Sequence, residues 1–91
     1  MDILDLRLYE LNRGIENYRD WTTSYWPPVG IKIQFSLKGD NSLHIGYTGM
    51  YDSGGRTPGA GTLVFCRETN QVHMAHEISG WRGLPFEESD L

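Results

Sequence analysis

An α+β domain, with an N-terminal helix packed on an antiparallel sheet of about four strands in two hairpins, is the fold this sequence predicts. Three observations lead to it. Apolar residues recur at helical spacing near the start, two runs of strict alternation flank a polar turn in the middle, and two further β-prone runs come after a glycine-rich stretch. At 91 residues the chain has the size of one domain, so residues 1–91 are read as a single unit.

The helix is predicted over Ile3 to Tyr18. Leu4, Leu8, Leu11, Ile15 and Tyr18 recur at steps of four and three, which places them on one face. Leu4, Leu6 and Leu8 also fit a strand, but the helical match extends further along the chain. Asp2 suits the N-cap, and Asp5 lies where the helix dipole favours an anion. Gly14 costs about 1 kcal/mol inside a helix and marks a place for it to end or kink. Pro27-Pro28 forces extended backbone before it, so Trp21 to Trp26 form an aromatic connection into the sheet.

The first hairpin has the clearest pattern. Ile31, Ile33, Phe35 and Leu37 alternate with Lys32, Gln34, Ser36 and Lys38, which describes a strand with one wet face. Gly39-Asp40-Asn41 is turn chemistry. Leu43, Ile45 and Tyr47 then alternate with His44, Gly46 and Thr48, and the first set is expected to face the core. Residues 49–61 are rich in glycine and read as a long loop. A second hairpin spans Thr62 to Arg67 and Gln71 to Ile78, with Val72, Met74, His76 and Ile78 on the apolar side. The tail after Ser79 has no period, although Trp81, Leu84 and Phe86 offer means of pinning it to the body.

The formal net charge of −4, with basic residues scattered singly, disfavours a nucleic-acid binder, which needs clustered Lys and Arg. The single cysteine, Cys66, has no internal disulfide partner and reads as a small apolar core residue. The first residues are acidic and interrupted, unlike a signal peptide, and no apolar run approaches the roughly 20 residues of a membrane span. A cytoplasmic protein without a membrane partner is the expectation.

Candidate chemistry is sparse. Asp52-Ser53-Gly54-Gly55 resembles the stretch around the nucleophilic serine of chymotrypsin-like proteases. That architecture needs two barrels and a histidine before the serine, whereas His73 and His76 come after it here. The glycine-rich segment through Arg56 lacks the lysine and following helix of a phosphate loop. His73, His76 and Glu77 have ligand spacing on a helix, but on a strand His73 and His76 point to opposite faces. The expectation is therefore no metal, no cofactor and no catalytic residue. His44 reads as a surface residue.

The aromatic surplus is the most informative feature, because Trp, Tyr and Arg concentrate at interface hot spots. Trp26, Tyr51, Arg56 and Trp81 are the predicted partner contacts. The arrangement of short helix, aromatic linker and hairpins resembles, at the level of fold, small bacterial immunity proteins, antitoxins and phage-encoded inhibitors. The resemblance implies a small acidic, non-catalytic module that binds and blocks another protein, and the acidity suits a basic partner. Two alternatives stand beside it. One is a homo-oligomeric subunit pairing through a sheet edge. The other is a ligand-binding protein or small enzyme using the open sheet face with His44 or His73.

Overall fold

The computed structural model describes residues 2–50 and 62–91. Helix α1 spans Ile3–Asn12, and the Asp2 side chain accepts the Leu4 N–H at its start. The helix is shorter than the predicted 3–18. Gly14 sits at φ 86°, a left-handed conformation that ends the helix, and the chain resumes as the 3-10 turn Ile15–Tyr18. No residue of α1 is fully buried. The 3-10 turn anchors the N-terminal segment instead, because Ile15 is buried and Tyr18 packs against the core. Asn12 also trades hydrogen bonds with Phe86, donating from Nδ2 to its carbonyl at 3.1 Å and accepting its N–H at 2.6 Å.

The remainder of the described chain contains five strands: β1 Lys32–Leu37, β2 His44–Met50, β3 Thr62–Cys66, β4 Gln71–Met74 and β5 Ile78–Leu84. They form one antiparallel sheet in the order β4-β3-β2-β1-β5. The α+β class and both hairpins agree with the sequence-based expectation, but the sheet has five strands rather than about four. The predicted fourth strand stops at Met74, the 3-10 turn Ala75–Glu77 redirects the chain, and the tail expected to be aperiodic supplies β5. Between β1 and β2, Asp40 Oδ1 accepts the Ser42 N–H at 2.8 Å and Gly39 adopts φ 82°, which closes the turn.

This connectivity requires a curled sheet. Neighbouring strands lie about 4.8 Å apart, so the edges of a flat five-stranded sheet would be separated by roughly 19 Å. A three-residue 3-10 turn at about 2 Å per residue advances only roughly 8 Å to Ile78. The edge strands must therefore approach each other around a common inside. One contact agrees: the rings of Phe35 in β1 and His73 in β4, with two strands between them in the order, are 6.2 Å apart.

Cross-strand partners share a face, so the register identifies the inside: Ile33 opposite Gly46, Phe35 opposite His44 and Trp81, and Val64 opposite Thr48 and His73. Ile33, Phe35, Val64, Cys66, Ile78 and Trp81 form the buried core. The structure corrects three expectations. In β2, Gly46 and Thr48 are buried, while Ile45 and Tyr47 belong to the outer face. In β4, Val72 is 56% exposed whereas the His73 side chain is only 14% exposed, and His76 is exposed in the 3-10 turn rather than inside. Trp81, expected to touch a partner, is 1% exposed and is the largest side chain of the core. At Gly46 the inside is already filled by Phe35, Val64 and the Phe65 carbonyl, so the strand turns Ile45 and Tyr47 outward. Among the described residues, no helix is long and apolar enough to cross a membrane.

Candidate functional site

The connection between the 3-10 turn and β1 builds an aromatic cleft. Thr22 pairs with Trp81 on the outer edge of β5, with Thr22 N–H to Trp81 O at 2.9 Å and Trp81 N–H to Thr22 O at 3.0 Å. Ser24 N–H then bonds the Thr22 hydroxyl at 3.2 Å, and the Trp81 indole N–H donates to the Tyr25 carbonyl at 2.8 Å. At the far end, the buried Thr48 hydroxyl donates to Pro28 O at 2.6 Å and accepts the Ile31 N–H at 2.9 Å. Pro27-Pro28 keeps the span between these anchors extended. The backbone is thus tied to β5 at one end and to β2 at the other.

The side chains on this backbone remain open. Tyr25 and Trp26 are about half exposed (52% and 50%), as is Trp21 at 44%. Tyr25 and Trp26 form one wall of a cleft of about 350 Å³, Ser79 and Gly80 of β5 form the other, and Trp81 closes its floor. Among the described lining residues, Lys38 alone carries a charge. Tyr25 meets the floor edge-on, with its ring centroid 5.7 Å from Trp81 at 83°, a favourable aromatic arrangement. Two predicted partner contacts therefore meet at one place, in different roles: Trp26 as an exposed wall and Trp81 as the buried support. Tyr51 and Arg56 lie outside the described residues.

The histidines take different positions from those expected. His44, read as a surface residue, is half-buried, and its ring lies 5.6 Å from that of Phe35. Its Nε2 is 3.1 Å from Asp40 Oδ2. His73 Nδ1 is 3.9 Å from Glu77 Oε1, too long for a hydrogen bond, in a shallow hollow shared with Lys38 and His76. Among the described residues, no group of three or more His, Cys, Asp or Glu side chains is arranged to hold a metal ion. Cys66 is buried, as its core reading requires.

A second feature lies on the outer face, and no motif in the sequence points to it. After β5 the chain folds back as a strap, residues 85–91, that lays Phe86 against Tyr47 and inserts Asp90 between charged partners. The Asp90 side chain is 2% exposed. Lys32 Nζ donates to it at 2.8 Å, the Tyr47 hydroxyl donates to it as well, and Arg67 Nη1 lies 3.6 Å away. Burial works against the charged carboxylate. The hydrogen bonds from Lys32, Tyr47 and the Glu87 N–H, together with the Lys32 charge, outweigh it and bring the pKa down from 3.8 to about 2. A pKa depressed by folding means stability that is complete above about pH 4 and lost as pH falls towards about 2. The native protein is therefore expected to lose stability more steeply than D90N between those values in acid-titrated urea unfolding, and parallel curves would contradict the assignment. Asp40 is also held below its usual value, chiefly by the Ser42 N–H and then by His44, but it acts equally in both proteins.

No known family matches this chain, and neither does any curated protein or solved structure.

Proposed function

We propose that the protein is a non-catalytic protein-binding module, acting in the manner of an inhibitor or immunity protein by occupying a partner's surface through the aromatic cleft. The supporting observation is that Tyr25 and Trp26 stay half exposed on a backbone anchored at both ends. A protein interface gains most from large rings that are already ordered, because little entropy is then lost on association. The net charge of −4 favours a basic partner for the protein as a whole. The cleft itself sets the Tyr25 and Trp26 rings beside the polar Thr23, Ser24, Lys38 and Ser79, which fits a segment of that partner carrying both aromatic and hydrogen-bonding groups. No nucleic acid, membrane or cofactor enters this reading.

The test is affinity capture from an extract of the source organism with two baits, the native chain and W26A. The native bait is expected to retain one partner near equal stoichiometry, and W26A at least about tenfold less, consistent with truncation of a hot-spot residue. W26A should keep the native fold and lose about 1–2 kcal/mol of stability, since the residue is already half exposed. Equal recovery by both baits, or no stoichiometric partner, would refute the reading. A homo-oligomer is the alternative favoured by one observation: β4 has no strand neighbour on its outer side among the described residues, and its sequence contains neither Lys nor Pro to protect that edge. A concentration-dependent dimer in light scattering would select it.

A further inference from the structure

The outer face of the sheet contains a row that crosses four strands. Lys32 of β1 stands opposite Tyr47 of β2, Tyr47 opposite Phe65 of β3, and Phe65 opposite Val72 of β4. One half of this row is covered and the other is open. The strap covers Lys32 and Tyr47 through Asp90 and Phe86. Phe65 and Val72 are 39% and 56% exposed and continue the same surface. Arg67, two residues beyond Phe65, bonds the Tyr47 hydroxyl at 3.2 Å and has a side chain 60% open to solvent.

Lys32, Tyr47 and Arg67 come from the sheet and the turn after β3, so they stand ready as donors whether or not the strap is in place. The carboxylate they surround belongs to the short segment 85–91, joined to β5 by Pro85. A fixed donor set paired with a tethered acid is the arrangement of a receptor occupied in cis. We infer that Lys32, Tyr47 and Arg67 form a carboxylate-binding site, filled by Asp90 of the chain's own strap, and that an acidic segment of a partner protein displaces the strap there. The segment's carboxylate takes the place of Asp90, and its apolar neighbours lie on Phe65 and Val72. This site shares no residue with the aromatic cleft and does not depend on it.

A tethered competitor acts at an effective concentration of the order of millimolar, so the closed strap lowers the apparent affinity for any external acid by the fraction of time the site is open. The test uses a fluorescent peptide copying residues 85–91, with anisotropy as the readout, on the 91-residue chain. D90N is expected to bind the peptide at least about tenfold more tightly than the native chain, because its own strap no longer competes. Adding K32M to D90N should abolish binding, and adding R67A should weaken it. A peptide with its aspartate replaced by asparagine should not bind D90N. Asn12→Ala provides a second route that leaves every donor and Asp90 intact: it removes the two hydrogen bonds to Phe86, loosens the strap and should also raise peptide affinity. Equal binding by the native chain, D90N and N12A would overturn the inference, as would equal binding of the asparagine peptide. A native dimer in light scattering that D90N lacks would also overturn it, showing that the site serves exchange of straps between two copies.

Discussion

Trp81→Ala is expected to lower the free energy of unfolding by about 3–5 kcal/mol, the usual cost of truncating a buried large aromatic side chain. Against the roughly 5–15 kcal/mol typical of small domains, that loss leaves a marginal fold. The indole is 1% exposed, stands opposite Phe35, and packs on Tyr18 at a ring separation of 5.8 Å. Its N–H also bonds the Tyr25 carbonyl at 2.8 Å, so the same ring supports the core and the wall of the cleft. Trp81→Phe separates these roles: it keeps most of the buried area, loses the hydrogen bond, and should weaken partner binding more than its smaller stability loss explains. Urea unfolding of both variants measures the first effect. A W81A protein within about 1 kcal/mol of native would show that Trp81 is not the centre of the core.

Gly46 is the second position where a single change is expected to act strongly. A Cβ there would lie 2.6 Å from the Phe65 carbonyl oxygen, 2.9 Å from Phe35 Cε1 and 3.0 Å from Val64 Cγ1. The first contact is with backbone in the β2–β3 ladder, where Gly46 pairs with Cys66, so it cannot be relieved by rotating a side chain. Overpacking a dense interior in this way costs about 1–3 kcal/mol, and G46V should exceed G46A. Gly80 is a useful contrast. Its added Cβ would meet the Trp21 ring at 2.6 Å, but that ring is 44% exposed and has room to move, so G80A should cost less than G46A. Thermal unfolding of the two alanine variants checks the order, and the reverse order would contradict the register of β1, β2 and β3.

These residues also explain which parts of the fold were legible in the sequence. The β1–β2 hairpin was legible because Ile33 and Phe35 alternate cleanly with polar neighbours and the turn residues lie between the two strands. The face of β2 was not, since hydropathy places Ile45 and Tyr47 inside whereas the space opposite Ile33 and beneath Phe35 admits only a glycine. Strand β5 was hidden for a related reason. Gly80 and Gly83 interrupt its apolar alternation, and both lie under rings or aliphatic groups of the N-terminal segment that no local pattern reveals. Gly14, in contrast, was recognisable as a place for the helix to end, and α1 stops just before it.

The candidate site was legible in composition and not in geometry. Trp26 beside two prolines announces an exposed aromatic, and it is one. That Trp81 closes the floor beneath it depends on the pairing of β5 with both β1 and Thr22, a long-range fact absent from local spacing. The Asp90 receptor was invisible because its donors are separated widely along the chain and come together only through strand register. A run such as Glu87-Glu88-Ser89-Asp90 otherwise reads as a solvated tail.

Hydroxyl-radical footprinting of the purified complex tests the binding reading most directly, because the cleft and the outer face of the sheet both carry reactive side chains. The account predicts that partner binding protects Trp26 and Tyr25 strongly and leaves exposed Met74, on the outer face, oxidised as in the free protein. Unchanged oxidation of Trp26 and Tyr25 in the complex would show that the partner binds elsewhere and would contradict the proposed role of the aromatic cleft.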